Sequence, residues 1–324
     1  MLKVAVTTDM LQQDLEKLCP HNELRWGRCE FIINPPAGTA CDYWIVYCGS
    51  RPQDRMVCAP ENTLFIAGEP PAKKIYPRGY YAQFHNVIST RADDPHPRIT
   101  ANALGLPWHV GLRNNRYLYG YDELKALRPT PKQNKVSVVC SALRTTEGQR
   151  QRLDFLDFLK QRLGDRIVHF GRGFTLIDDK MEAIAPYRFH LVLENSRSDH
   201  YWTEKLADAY LGWAFPLYLG SPNVNDYFPE NSFARISPDD PEAAVSLIEK
   251  LLTTPQLPES DQIINHCRDL VLDIYNPFAR FSHWANLFHL SLPAKTVKID
   301  SHKTFRAFPS GALYCVRRWL KSRR

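Results

Sequence analysis

Residues 187–220 read YRFHLVLENSRSDHYWTEKLADAYLGWAFPLYLG. Residues 187–193, YRFHLVL, are rich in aromatic and branched apolar residues and read as a hydrophobic strand. The run ends in Glu194, Asn195 and Ser196, a polar loop follows, and Thr203, Glu204 and Lys205 open a helix that must close before Pro216. A second apolar run, residues 216–219, makes the next strand. This order gathers a carboxylate, an amide, a phenol, a hydroxyl and an ammonium around one helix N-terminus. Unpaired backbone N–H groups and the helix dipole favour an anion there, so a phosphate-bearing ligand is the expected guest.

Outward from this stretch the same alternation continues. Short β-branched and aromatic runs at 4–6, 30–33, 43–47, 64–67 and 87–89 are separated by turn residues, and strand-like runs return at 136–140 and 167–170 around a helical pattern at 149–163. Asp239, Asp240 and Pro241 begin a further helix, with Leu247, Ile248, Leu251 and Leu252 on one stripe. Alternating strands and helices imply α/β layers, and 324 residues exceed what one core usually serves. The expectation is two α/β domains facing each other across a cleft, with ligands at the carboxyl ends of the strands. The boundaries expected are an N-terminal acceptor-binding domain at 1–115, a linker at 116–134 around Pro129 and Pro131, a C-terminal domain at 135–294 and a basic tail at 295–324.

Charge is unevenly distributed. The tail carries nine Lys and Arg against the single acid Asp300, or +8, in a chain of net +6, so residues 1–294 carry about −2. Within it, ALYCVRRWLKSRR places Leu313, Val316 and Leu320 at helical spacing, which suits either a cationic helix in peripheral contact with an anionic membrane or a solvated end. No nucleic-acid-binding motif accompanies the charge, and none is expected to bind. The start of the chain lacks the basic and apolar regions of a signal peptide, and no window is long and apolar enough to span a bilayer, so a cytoplasmic location is expected, peripheral on the inner face of the membrane if the tail binds it. The eight cysteines include no CxxC pair and no His at finger spacing; reduced, buried thiols are expected, and no zinc.

Glycine-rich nucleotide loops are missing, and only Gly171, Arg172 and Gly173 follow a strand, which argues against a kinase or a hydride-transfer enzyme. Asp93-Asp94 sits in a proline-rich loop and Asp239-Asp240 reads as a helix cap, so neither suggests a metal-held diphosphate. Protein cations must then neutralise a bound diphosphate, and Lys205 and Arg152 are the candidates. A general base belongs on the facing domain, where Glu69 ends the run LFIAGE before Pro70 and Pro71; a solvated strand-end acid is the other reading. Tyr76, Tyr80, Tyr81 and Trp108 either stack on sugar rings or fill a core.

The pattern of aromatic-rich strand, Glu-Asn-Ser, loop, Tyr-x-Thr-Glu-Lys, helix and Pro-x-x-x-Gly resembles the signature of the family 10 glycosyltransferases, the α-1,3/1,4-fucosyltransferases, in their bacterial form. Looser matches are AGE at 67–69, LPWHVG at 106–111, the Cys140-Ser141 strand end followed by RxxF at 152–155, and FGRGF at 170–174. Ala142 departs from the Asn common in the family, and Leu193 and Trp202 from its usual Phe and small β-branched residue. The resemblance implies a GT-B fold of two Rossmann-like domains. It implies inverting transfer of L-fucose from GDP-fucose, the donor substrate, to a hydroxyl of an oligosaccharide or glycolipid acceptor. GlcNAc or Glc in a lactosamine-like or lipopolysaccharide glycan would be joined in α-1,3 or α-1,4 linkage, with no cofactor and no metal. By position, Glu69 resembles the general base, and Arg152 and Lys205 resemble the pair that holds the diphosphate. Asn195, Tyr201 and Glu204 resemble donor contacts, with Glu204 near sugar or ribose and grouped with Glu69 as catalytic; Glu194 and Ser141 complete the donor set. A transferase using another nucleotide sugar, or a non-catalytic glycan-binding descendant, are the alternatives.

Overall fold

The computed structural model describes residues 1–10, 12–51, 53–68, 74–145, 147–255, 258–307, 310–311 and 315. They divide into two compact units, one gathering the described residues of Met1–Gln12, Asn22–Gly105 and Pro277–Arg324, the other Gln13–His21 and Leu106–Asn276. Both are α/β units on mainly parallel sheets, as the alternation of apolar runs requires.

The first unit contains β1 (Leu2–Thr8), β2 (Arg25–Trp26), β3 (Cys29–Ile33), β4 (Thr39–Ala40), β5 (Tyr43–Tyr47), β6 (Gln53–Cys58), β7 (Thr63–Ile66), β8 (Asn86–Ser89) and β9 (Ile99–Ala101), with a short helix α1 (Arg78–Tyr81). Seven of these strands form one sheet in the order β2-β3-β1-β5-β7-β8-β9, parallel except at the β2–β3 pair. Strand β5, YWIVY, is buried at every position, which is what a central parallel strand demands of its sequence. On one face Phe65 of β7 sits among the rings of Tyr76, Tyr80, Tyr81 and Phe84, with centroids 4.8 to 5.8 Å away. Tyr76, Tyr80 and Tyr81 are at most 2% exposed, and so are core residues, as is Trp108 in the second unit.

The second unit contains β10 (Leu112–Arg113), β11 (Arg116–Tyr117), α2 (Tyr121–Ala126), β12 (Gln133–Val139), α3 (Glu147–Leu163), β13 (Ile167–Phe170), α4 (Lys180–Ile184), β14 (Tyr187–Leu193), α5 (Glu204–Leu211), β15 (Phe215–Leu219), β16 (Ala234–Arg235), α6 (Pro241–Thr253) and α7 (Pro258–Asp269). Its sheet runs β13-β12-β14-β15-β16, all parallel. Leu153, Phe155, Leu156 and Leu159 of α3 and Ala244, Val245, Ile248 and Leu252 of α6 cover one face. Helices α4 and α5 lie against β12, β14 and β15. Asp240 caps α6 as its sequence predicts, its Oδ1 accepting from Ala243 N at 3.0 Å.

Two segments differ from expectation. The interval 116–134, read as a linker, holds β11, α2 and the start of β12, because Tyr117 and Leu124, each 1% exposed, anchor an otherwise polar stretch in the core. The chain also returns to the first unit earlier than residue 294. Helix α8 (Pro277–Phe288) brings Phe278 within 5.2 Å of Phe31 and Phe281 within 5.0 Å of Tyr47, between ring centroids. Strand β17 (Lys295–Asp300), counted with the basic tail, pairs antiparallel with β6 and buries Ile299 completely. Its alternation of charged and apolar residues is a strand pattern that completes a three-stranded sheet, β17-β6-β4. Residues 312–314 and 316–324, the core of the cationic helix reading, lie outside the described residues.

Candidate functional site

Strand β14 delivers Glu194 into the interior, where its side chain has no solvent exposure. Glu194 Oε1 accepts from the backbone N–H of Thr203 at 2.8 Å, and Oε2 accepts from Thr203 Oγ1 at 2.7 Å. Thr203 is the N-cap of α5. Lys205 Nζ lies 3.4 Å from Glu194 Oε2 and donates to Thr203 Oγ1 at 3.1 Å and to Glu204 Oε1 at 2.9 Å. One strand end and one helix start are therefore cross-braced by two carboxylates, a hydroxyl and an ammonium. Gly220 of the motif is required by this arrangement, since a Cβ there would come within 2.7 Å of Glu194 Cγ.

The electrostatics follow from the packing. Burial raises the Glu194 carboxyl above its ordinary range against the pull of Lys205. Burial also pushes Glu204 upward, yet Lys205, His109 and Lys180 outweigh it and hold Glu204 well below the usual carboxylate range. Lys205 is opposed by burial, but Glu204 and Glu194 together keep its ammonium above the usual lysine range.

The neighbouring strand end, after β12, faces the same place. Arg152, on the second turn of α3, donates to Asn195 Oδ1. Its Nε is buried and has no hydrogen-bond partner among the described residues. The Cys140 thiol is raised by burial, while Arg152 and Lys205 act on it in the opposite direction. Ser141 follows, half-buried, with Cys140 Sγ donating to its carbonyl at 3.6 Å. Gly171 adopts φ +126°, and a Cβ there would stand 2.6 Å from the Cys140 carbonyl oxygen. The short GRG run thus lets β13's loop close on this strand end.

A third group completes the surroundings. Asp208 of α5, 1% exposed, accepts from the backbone N–H groups of His109 and Val110 at 2.7 and 3.0 Å and from Lys180 Nζ at 2.7 Å. Glu204 and Asp208 are one turn apart on α5 and share a face. Burial lowers the His109 imidazole, and Lys180 lowers it further, with Glu204 and Asp208 opposing.

Of the residues singled out in the sequence, Arg152, Asn195, Glu194, Glu204, Lys205 and Ser141 come together at two adjacent strand ends and one helix start. Tyr201 is buried in the intervening loop, and its phenol acts on Lys205 and on Tyr218. Glu69 lies outside the described residues. His109, Lys180 and Asp208 escaped the sequence reading. Asp208 had a signal, an acid inside the apolar run LADAYL; Lys180 was hidden in an ordinary capping sequence, with Asp179 capping α4.

Comparison with known proteins locates this cluster. Residues 130–257 match the family model described as glycosyltransferase family 10 (fucosyltransferase) C-term. The chain is 38% identical over 83 residues to the alpha-(1,3)-fucosyltransferase FucT of Helicobacter pylori, covering 26% of this chain and 17% of that protein. It is 30% identical over 108 residues to the 4-galactosyl-N-acetylglucosaminide 3-alpha-L-fucosyltransferase 9 of Bos taurus, covering 32% of this chain and 30% of that relative. The matches thus span less than a third of these relatives' lengths. Among solved structures, an alpha1,3-fucosyltransferase with GDP-fucose aligns at 19% identity and a TM-score of 0.44, covering 85% of this chain and 92% of that one. Arg152, Asn195, Glu204 and Lys205 all fall inside residues 130–257, the segment that is similar to the C-terminal domain of glycosyltransferase family 10.

Proposed function

We propose that this protein transfers L-fucose from GDP-fucose to a hydroxyl of a glycan acceptor, with inversion at the anomeric carbon and without a metal ion. The observation that carries the reading is the gathering of Arg152, Asn195 and Lys205 at two parallel strand ends, with a buried Arg152 Nε lacking a partner among the described residues. A buried guanidinium N–H without an acceptor is costly, and a diphosphate oxygen is a charged acceptor of the right kind.

In this mechanism the acceptor oxygen attacks the anomeric carbon from the face opposite GDP, and Glu69 takes its proton. The C–O bond to the β-phosphate breaks, and Arg152, Lys205 and the N-terminus of α5 stabilise the charge that grows on the leaving diphosphate. In the same reading Glu204, held ionised by Lys205, accepts hydrogen bonds from donor hydroxyls. The acceptor is proposed as GlcNAc or Glc in a lactosamine-like or lipopolysaccharide glycan, with α-1,3 or α-1,4 linkage. A cytoplasmic location, where GDP-fucose would be available, belongs to the same proposal.

The test begins with thermal shifts. GDP is expected to stabilise the protein more than UDP or CDP, since a ligand bound only by the folded state raises its stability. GDP release is then measured with GDP-fucose and lactose or N-acetyllactosamine, with and without EDTA. Glu69→Gln should nearly abolish transfer and leave GDP binding intact; a loss of less than about tenfold removes Glu69 from the role. Preference for another nucleotide, or turnover that EDTA abolishes, defeats the proposal.

A further inference from the structure

The segment Leu106–Gly111 is clamped with unusual completeness. Tyr117 Oη donates to the Trp108 carbonyl at 2.7 Å, and Gly111 N donates to Asp179 Oδ1 at 2.9 Å. Between them, the N–H groups of His109 and Val110 share Asp208 Oδ1, and Asp208 is itself fixed by Lys180. These contacts use the backbone of the segment and the side chains of Tyr117 in β11, Asp179 at the N-cap of α4 and Asp208 in α5. The side chain so presented is His109, which is half-buried and whose ring makes no hydrogen bond among the described residues. In the same unit the buried His190 and His169 each pair one ring nitrogen, with Ser137 Oγ at 2.8 Å and with the Cys140 carbonyl at 2.9 Å. The His109 backbone is anchored one helical turn from Glu204, the carboxylate that holds Lys205.

We infer that His109 is a further donor-contacting residue, whose ring N–H donates a hydrogen bond to an oxygen of the bound diphosphate leaving group. This rests on the reading of the site as one for a sugar nucleotide. The charged groups that act on the ring are Lys180 from α4 and Glu204, Lys205 and Asp208 from α5, and in the unliganded site burial and Lys180 keep the imidazole neutral near pH 7. Two phosphate charges beside it reverse that balance and favour the imidazolium, so donor binding draws a proton from solvent.

Calorimetric titration with GDP-fucose between pH 5.5 and 8, in buffers of different ionisation heat, tests this, because both phosphates of that ligand are esterified and stay ionised throughout. The wild-type protein is expected to take up protons on binding and to bind about fivefold to tenfold tighter at pH 6 than at pH 8. His109→Gln, which keeps a donor but cannot titrate, should lose the proton uptake and about threefold in affinity; His109→Leu should lose at least about tenfold at pH 6. Both variants keep the main-chain N–H that Asp208 holds, and an unchanged thermal midpoint verifies their fold. A His109→Leu protein that binds within about twofold of wild type with the same pH slope overturns the inference and leaves the sugar-nucleotide reading standing. Wild-type protein that fails to bind GDP-fucose at all overturns the reading itself, and the inference with it.

Discussion

Asp208 shows how one buried side chain can hold a site that it does not enter. Three donors converge on it, two from the backbone of His109 and Val110 and one from Lys180, and each would be left unsatisfied by its removal. Asp208→Ala is therefore expected to destabilise the protein by about 3 to 5 kcal/mol in denaturant unfolding, with Asp208→Asn, which retains an acceptor, costing less. Lys205 is different in kind. It is braced by Glu194 and Glu204, so its replacement leaves two acidic groups around the proposed diphosphate. Lys205→Ala should weaken GDP binding by more than about tenfold, read by titration, and unchanged GDP affinity would remove Lys205 from the donor site.

At the level of strands and helices, the site is a property of junctions. The turn from β14 to α5 is closed by Glu194 and Thr203, and the turn after β12 is closed by the glycines that follow β13. The opposite ends of the same helices are held by Lys132, whose Nζ donates to Ala185 O at 2.5 Å and to Gly212 O at 3.0 Å, the C-caps of α4 and α5. A cation at two helix C-termini satisfies orphan carbonyls and opposes both dipoles. Lys132→Met, which keeps the aliphatic length, should cost about 1 to 3 kcal/mol by denaturant midpoint with an unchanged m-value. Lys132 stands in the interval read from sequence as a linker, where a Lys directly after Pro131 carries no sign of such a role.

For the molecule as a whole, acid stability reports on the sheet that carries the site. His190 of β14 is 4% exposed, and burial, aided by Lys180 and Lys132, pushes its imidazole down to about 3. The folded value lies below the unfolded one of 6.5, so the unfolded chain takes up the proton first as pH falls. The contribution is complete above about pH 6.5 and is lost between there and pH 3, at about 1.4 kcal/mol per pH unit. Between pH 6.5 and 5 this amounts to about 2 kcal/mol. A His190→Gln protein should lose that portion of the slope, and an unfolding free energy that falls with pH as steeply in the variant as in the wild type would refute the assignment.

Strand and helix identity, the α/β class and most members of the polar cluster were legible in residues 187–220. Both faces of β14 are largely buried, so its run is mostly apolar, and a strand-loop-helix turn brings Glu194, Thr203, Glu204 and Lys205 together by local geometry alone. Arg152, 43 residues before Asn195, was one candidate cation among many, and it was the family resemblance that singled it out. What no local pattern contains is the pairing of distant segments: Asp208 with His109, Lys132 with two helix ends, β17 with the edge of β6. Local backbone preference and hydrophobic periodicity act over a few residues and are written along the chain. Partners brought together across a packed core are chosen by the folded arrangement, which is why the junctions could be read in advance and the groups that lock them could not.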